Sequence, residues 1–426
     1  MLSIDKDSLT TDLIELVGLE NVIIDEIALK EYGLDRYQTE HTPLLVIKPS
    51  DPLQFKRINF IMRRYKINSI NPRGYGFGIN SGAYSEGLTI DLTLLNKKLE
   101  VNPQDSIVTA QAGFNYSELQ NKLMEYGFRL PIEPILKGTL GGFIASGGIG
   151  YGSFRYGSIL NILRSTTLLL SNGQIIQTGM QYVPPYSSGY NLNGLICGSE
   201  GYFGIITEAI LEIVPVPQES LNLLFSLGLS VEISQVLTKL TQFSTVFNIC
   251  VYKSILNSNT ENTLISLRLE GFSETLNADK TSIEKIEDIT FLDTDTANKV
   301  WENRILDSSQ IPDSSAIIET IIPLTFLSQF FTFWEPFDSP PVFGILMNAG
   351  TILVYVFLLK ELSESRKNEI LAEFVNKAQE FQAYPPTIGN SLKAFVENCY
   401  PNLDIVKELK PVFDKDAILK SQELAF

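Results

Sequence analysis

The sequence predicts an α+β protein built in two main parts. Residues 1–216 form two α+β subdomains split near residue 95, residues 217–400 form a second α+β domain, and 401–426 close the chain. Three observations carry this reading. Short apolar runs of strand length alternate with stretches of helical periodicity. Three glycine-dense stretches, all in the first half, fall at strand edges. Pro215-Val216-Pro217 then breaks the last strand of that half and marks a boundary.

In chain order, residues 8–35 read as short helices, with Leu9, Leu13, Ile14, Leu16 and Val17 on one face and Gly18 as the stop. Leu44–Ile47 is a buried strand ended by Pro49, after which Ser50 or Asp51 caps a helix carrying Phe55, Ile58, Ile61 and Met62. Ile67–Ile70 and Leu88–Leu92 follow as strands. Two more strands lie between Lys98 and Gln111, turning at Asn102–Asp105. Asn115 caps the next helix, with Glu118 placed for a capping box, Tyr116, Leu119, Leu123 and Tyr126 inward, and Gly127 at its end. Ser165–Leu170 and Gln174–Thr178 form a hairpin about Asn172-Gly173. In the second part Leu221–Leu227, Val246–Tyr252 and Thr263–Leu269 are strands, while Ser230–Phe243, Ser282–Asp288 and Glu361–Gln382 are helices. The apolar run Ile345–Leu359 is too short for a membrane span and reads as two buried strands about a turn.

Composition bounds the function. The chain has 426 residues, 44% hydrophobic and 19% charged, as in a soluble globular protein. Thirty-three basic against 49 acidic residues give −16, which argues against nucleic acid and leaves membrane contact at most peripheral. Cys197, Cys250 and Cys399 are too dispersed for a disulfide framework, an iron–sulfur cluster or a zinc site, and they fit a reducing cytoplasm. The N-terminus has no basic region or apolar core, so no signal peptide is expected. A single histidine, His41, excludes multi-histidine metal sites and a second Ser-His-Asp arrangement within one chain.

The glycine stretches carry the chemistry. Asn71-Pro72-Arg73-Gly74-Tyr75-Gly76-Phe77-Gly78-Ile79-Asn80-Ser81-Gly82 follows a strand and allows backbone N–H groups to converge on a diphosphate, although tight turns use the same pattern. It is not a Rossmann fingerprint, because no helix opens directly after the glycines. Gly138-Thr139-Leu140-Gly141-Gly142-Phe143-Ile144-Ala145-Ser146-Gly147-Gly148, then Arg155-Tyr156-Gly157, then Gly198-Ser199-Glu200-Gly201-Tyr202-Phe203-Gly204-Ile205-Ile206-Thr207 complete the set. Three such stretches suit a long ligand tracked from several sides.

The order Pro-Arg-Gly-x-Gly, Thr-Leu-Gly-Gly-x-Ile-Ala, Arg-Tyr-Gly and Gly-Ser-Glu-Gly-x-x-Gly-Ile-Ile-Thr resembles the vanillyl-alcohol-oxidase-type family with its PCMH-type FAD-binding domain. Within it, the FAD subunits of glycolate oxidase and D-lactate dehydrogenase are the most similar. The resemblance covers about residues 40–216 and implies FAD, with its pyrophosphate on Arg73–Gly78 and its adenine and ribitol on the second and third stretches. The residues implied are Pro72, Arg73, Gly74, Tyr75, Gly76, Phe77, Gly78, Gly138, Thr139, Gly141, Gly142, Ala145, Ser146, Gly148, Tyr156, Gly201, Gly204, Ile205 and Ile206. Relatives that attach FAD covalently through the first loop carry a histidine where this chain has Phe77, so the flavin is expected to be non-covalent. Val406–Leu419 resembles the family's closing segment, which returns to the FAD domain, with Lys415 in place of a proline.

The same resemblance makes residues 217–400 a cap over the substrate. There Trp301-Glu302-Asn303-Arg304 resembles a Trp-x-x-Arg element. Trp301 reads as a core anchor and Arg304 as a cavity residue, since a buried guanidinium needs an anion. Relatives carry His-Ala-Gly-Asp-Gly-Asn-Leu-His where this chain reads Asn348-Ala349-Gly350-Thr351-Ile352-Leu353-Val354-Tyr355, so a metal held by those histidines is disfavoured and Asn348 is the substrate-side candidate. No catalytic base is assigned. Two functions are implied: an FAD-dependent dehydrogenase of a small hydroxy acid or alcohol that passes electrons to a partner protein, or a non-catalytic FAD subunit of a glycolate-oxidase-like complex. Aldonolactone oxidation is a third option, without its C-terminal histidine signature here.

Overall fold

The computed structural model describes residues 5–33, 42–78, 87–182, 189–228, 231–253, 263–305, 314–337, 340–348, 350–386, 393–400 and 403–419. His41, Ala349 and the stretch from Ile79 to Gly82 lie outside them.

The first unit is a four-stranded sheet in the order Val22–Ile23, Leu45–Ile47, Leu88–Asp91, Ile70–Arg73. The last three run parallel, and Val22–Ile23 pairs antiparallel with Leu45–Ile47. Leu45–Ile47 is apolar throughout because both of its faces are covered, as parallel sheets require. Helix Gln54–Arg64 makes the crossover and buries Phe55, Ile58, Ile61 and Met62. Its start differs from the expected Ser or Asp cap. Gln54 instead reaches back to accept the Ser50 and Asp51 amides at 2.9 and 3.2 Å, and Asp51 accepts from Leu53 at 2.9 Å. Strand Ile70–Arg73 begins where the expected Ile67–Ile70 strand was to end, and it includes the first residues of the glycine motif. It lies on the sheet edge, where Pro72 removes no needed donor.

The second unit is an antiparallel sheet in the order Ile175–Gln177, Leu163–Leu169, Ile205–Glu212, Ile107–Gln111, Leu99–Asn102. Gly173, at φ +80°, makes the turn of its hairpin. Helix Tyr116–Met124 is capped by Asn115, whose side chain accepts from the Ser117 and Glu118 amides. Its buried face is Tyr116, Leu119, Gln120 and Leu123; Tyr126, past the helix end, is exposed rather than inward.

The third unit is a seven-stranded antiparallel sheet in the order Ile289–Phe291, Glu219–Leu227, Thr263–Gly271, Val246–Lys253, Val342–Met347, Thr351–Leu359, Ser314–Pro323. One face buries helices Ile233–Leu240, Ser273–Ile283, Leu327–Trp334 and Glu364–Lys377. The helix expected at Ser282–Asp288 is Ser273–Ile283, ending where the prediction began, because Leu276 and Ile283 supply its packed face. The opposite face meets Ile135 and Tyr151 of the second unit. Strand Thr351–Leu359 shows why this run is apolar throughout: Ile352, Val354, Val356 and Leu358 enter the helix-covered core, while Leu353, Tyr355 and Phe357 face the other way.

Buried charge ties the units together. Arg129 holds Glu270 of the third sheet through two guanidinium nitrogens, and the two side chains are only 10% and 3% exposed. Arg304 pairs with Glu133, and Tyr151 donates to the Arg304 carbonyl at 2.8 Å. The closing segment returns to the first unit, where Ile70 donates to the Ile418 carbonyl and bridges Leu419. Asp414, 1% exposed, fixes that segment by accepting the Ile418 and Leu419 amides and pairing with Lys410 at 2.9 Å. Among the described residues no helix is long and apolar enough to cross a membrane.

Candidate functional site: a glycine-lined cleft under the third sheet

A cleft of about 240 Å³ opens between the edge of the first sheet, the loop and short helix at 134–149, and the free face of the third sheet. Pro72, Arg73, Gly74, Tyr75, Gly76, Phe77 and Gly78 line one side. Gly138, Thr139, Gly142, Ala145, Ser146, Gly147 and Gly148 line another, together with Ile135, Lys137 and Phe143. Glu319, Leu353, Tyr355 and Pro386 form the wall opposite.

The glycines are present because the two loops leave no room for side chains. A Cβ on Gly74 would lie 2.3 Å from Thr139 Oγ1, and one on Gly148 would lie 2.4 Å from the Phe143 ring. Gly76 sits at φ +73°, where a Cβ would also strike the Arg73 guanidinium at 2.2 Å. Thr139 accepts the Gly142 amide at 3.1 Å and fixes the start of helix Leu140–Ala145.

Arg73 is positioned from below. Its guanidinium lies 4.5 Å over the Tyr32 ring, and Tyr32 donates to Asp91 at 2.6 Å. Burial, followed by the hydrogen bond to Asp91, raises the Tyr32 hydroxyl above its ordinary value, so it remains a donor. Arg73 Nε is buried without a hydrogen-bond partner, and no carboxylate lies within ion-pair distance of Arg73 among the described residues. A guanidinium, bare backbone and Thr139 beside a cleft form a donor set that fits a dinucleotide diphosphate.

Several expected site residues lie elsewhere. Gly141 packs against the Ala112 backbone and donates to its carbonyl at 2.8 Å, so it joins helix to sheet rather than facing the cleft. Of the third glycine stretch, Glu200 is the one described lining residue. The rest of that stretch braces the site from behind. A Cβ on Gly201 would meet Pro72 at 2.7 Å, one on Gly204 would meet Leu168, and Gly147 and Gly198 touch backbone to backbone. Ile205 and Ile206 are buried in the cores of the first and second units. Tyr156 packs edge-on against Phe247, with ring centroids 6.4 Å apart.

Arg304 and Asn348 are also outside the cleft lining. The anion that the Arg304 guanidinium needs is Glu133, and Arg304 also stacks 4.2 Å over Trp301. Asn348 is exposed at the tip of the turn between Val342–Met347 and Thr351–Leu359, at φ +52°. Tyr355, eighth in the run that begins at Asn348, does line the cleft. Burial, then the charge and hydrogen bond of Glu319, holds its hydroxyl well above its ordinary value. Burial also pushes the nearby Cys250 thiol up to about 12. The sequence reading took Asn348, at the other end of that run, as the substrate-side candidate and gave no sign of Glu319, which is the cross-strand neighbour of Tyr355. Among the described residues no group of three or more His, Cys, Asp or Glu side chains is placed to hold a metal.

Residues 43–179 match the family described as FAD binding domain. A D-lactate dehydrogenase of Anaerostipes hadrus is 34% identical over 48% of this chain and 42% of its own length. A glycolate oxidase subunit of Bacillus subtilis is 30% identical over 50% of this chain and 46% of its own. The chain thus spans less than half the length of these curated relatives in the matched region. Among solved structures, 4-ethylphenol oxidase from Gulosibacter chungangensis superposes with a TM-score of 0.81 at 15% identity, over 98% of this chain and 96% of that one. For p-cresol methylhydroxylase the TM-score is 0.78 at 14% identity, over 98% of both chains. Residues 43–179 are an FAD binding domain, the chain as a whole has the PCMH-type fold with an α+β cap, and its cofactor is FAD.

Proposed function

We propose that the chain is an FAD-dependent dehydrogenase that oxidises the CH–OH carbon of a small hydroxy acid or alcohol and passes the electrons to a partner protein. The observation that carries this reading is the composition of the cleft: glycine loops on one side and, on the other, a cap wall that carries the buried Tyr355 with Glu319 beside it. FAD, when bound, accepts a hydride from the substrate carbon. Arg73, the amides of Gly74 to Gly78 and Thr139 hold the diphosphate; Gly138, Gly142, Ala145, Ser146 and Gly148 line the remainder of the cofactor. Gly141, Tyr156, Gly201, Gly204, Ile205 and Ile206 support these loops from outside the cleft.

Phe77 has no atom able to bond the flavin, which supports a non-covalent cofactor. The three cysteines are free, in keeping with a reducing cytoplasm. A second reading rests on the sequence resemblance, in which this chain has Asn348 and Tyr355 in place of the family's two cap histidines. Under that reading the chain is a non-catalytic FAD subunit of a glycolate-oxidase-like complex. Anaerobic addition of glycolate, D-lactate, sugar lactones and simple alcohols to the purified yellow protein separates the two. Bleaching of the flavin by any of them supports the dehydrogenase; an unchanged spectrum with all of them removes it.

A further inference from the structure

The crossover helix Gln54–Arg64 has two contrasting faces. Phe55, Ile58, Ile61 and Met62 are buried in the core of the first unit. Leu53, Lys56, Arg57, Phe60, Arg63 and Arg64, spaced three and four apart, share the outer arc, and all of them are exposed. Leu53 and Phe60 are 70% and 69% exposed, so two large apolar side chains stand in water among the cations. Lys66 adds another cation just past the helix end. Across residues 52–85 the sequence holds no acidic residue, in a chain whose net charge is −16. Lys56, Arg57 and Lys66 form no ion pair among the described residues. Arg63 and Arg64 pair with Asp416 and Asp12, but their side chains are 53% and 61% exposed, and surface pairs of this kind hold weakly. Beside the helix, Asn59 donates to the Ser171 carbonyl and seats the 172–177 hairpin, which carries no charge and leaves Ile175 41% exposed.

Charge complementarity requires an anionic occupant, and the size of the face decides its kind. Leu53 to Arg64 spans about 17 Å, so the arc offers on the order of 200 Å². A stable protein partner needs about 800 Å² from each side. A convex helix with apolar tips among cations suits a headgroup layer instead: Phe60 and Leu53 reach the acyl boundary while the lysine and arginine heads stay at the phosphates. The acidic remainder of the chain does not forbid this, since salt screens charges beyond about 8 Å. We propose that the outer face of helix Gln54–Arg64 is a membrane-docking surface that seats the protein reversibly on anionic lipid, with Lys56, Arg57, Arg63, Arg64 and Lys66 on the headgroups and Phe60 and Leu53 inserted between them. The helix only lies on the surface, in keeping with the lack of any membrane-spanning helix among the described residues.

The test is co-sedimentation of the FAD-loaded full chain with vesicles of phosphatidylcholine alone or with about 30% phosphatidylglycerol. Each lysine or arginine at an anionic surface strengthens binding about fivefold, so the cations without an ion pair alone predict about 100-fold preference for the anionic vesicles. Raising the salt from about 50 mM to about 500 mM should abolish it. Lys56→Glu with Arg57→Glu should weaken binding about 25-fold or more, and Phe60→Ser about fivefold, with flavin content and melting unchanged. Lys239→Glu with Lys285→Glu, an equal charge change at exposed positions of the third unit, should stay within about threefold of the parent. Should the Lys56 and Arg57 double variant lose its fold, Phe60→Ser carries the test. Equal binding to both vesicles, binding to neither, or a folded helix variant that binds like the parent overturns the inference. Retention on immobilised polyglutamate without vesicle binding also overturns it, and points to an acidic protein on this face.

Discussion

Replacing Gly76 by alanine separates cofactor binding from folding. At φ +73° any side chain pays the left-handed penalty, roughly 1–2 kcal/mol. The added Cβ would also lie 2.2 Å from the Arg73 guanidinium. Arg73 must therefore withdraw by roughly 1 Å or more to regain ordinary contact distance. Because the obstacle is the far end of a flexible side chain, the move costs the fold little, but it takes the cation away from the diphosphate. A hydrogen bond to a charged group contributes about 1.5–3 kcal/mol. At 1.4 kcal/mol per factor of ten, FAD should bind about 10- to 150-fold more weakly. Gly127→Ala supplies the control: Gly127 has φ +76° with nothing within 4 Å of the new Cβ. Thermal melts should show similar destabilisation in both variants, and fluorescence titration of the apoproteins with FAD should show loss of affinity in Gly76→Ala alone. Equal FAD affinity in Gly76→Ala and the parent would refute the assignment of this loop to the diphosphate.

Further outcomes follow from the same geometry. Acid precipitation of the holoprotein should leave all flavin in the supernatant, since Phe77 offers no attachment point; flavin in the pellet refutes this. Arg129→Ala strands the buried Glu270 carboxylate and should cost about 3–5 kcal/mol in a denaturant titration, whereas a cost below about 1 kcal/mol would mean that the pair does not hold the cap. Flavin reduction should survive EDTA, and chelation that abolishes it, with recovery on adding a divalent ion, would reveal a metal site. His41→Ala should retain turnover; a variant that holds FAD but no longer reduces it would make the lone histidine the base.

Which features were legible in the sequence follows from how local their causes are. The Asn172-Gly173 hairpin, the Asn115 cap and the glycine loops are set by nearest-neighbour chemistry: a positive φ, a side-chain oxygen over free amides, or a missing Cβ. Those signals stand in the residues themselves. Tyr126 was misplaced because helical spacing continues past the point where the helix stops. The Ser273–Ile283 helix was missed because only two of its positions, Leu276 and Ile283, are buried, too few to set a period. In the site, the long-range partners were hidden. Arg304 looked available for a substrate because its anion, Glu133, lies 171 residues away in the chain. Glu319 carries no motif, and it becomes a site residue only through strand register opposite Tyr355. The third glycine stretch was read as ligand-facing, yet most of its described glycines serve close packing behind the cleft, a role that sequence spacing does not distinguish from phosphate binding.

The most direct test of the account is a crystal structure of the full chain with FAD. The account predicts the diphosphate against Arg73, Gly74 and Gly76, the remainder of the cofactor along Gly138 to Gly148, and the flavin ring beside Tyr355 of the cap wall. A cofactor whose diphosphate contacts neither Arg73 nor the Gly74–Gly78 backbone, or a flavin ring remote from Tyr355, would contradict it.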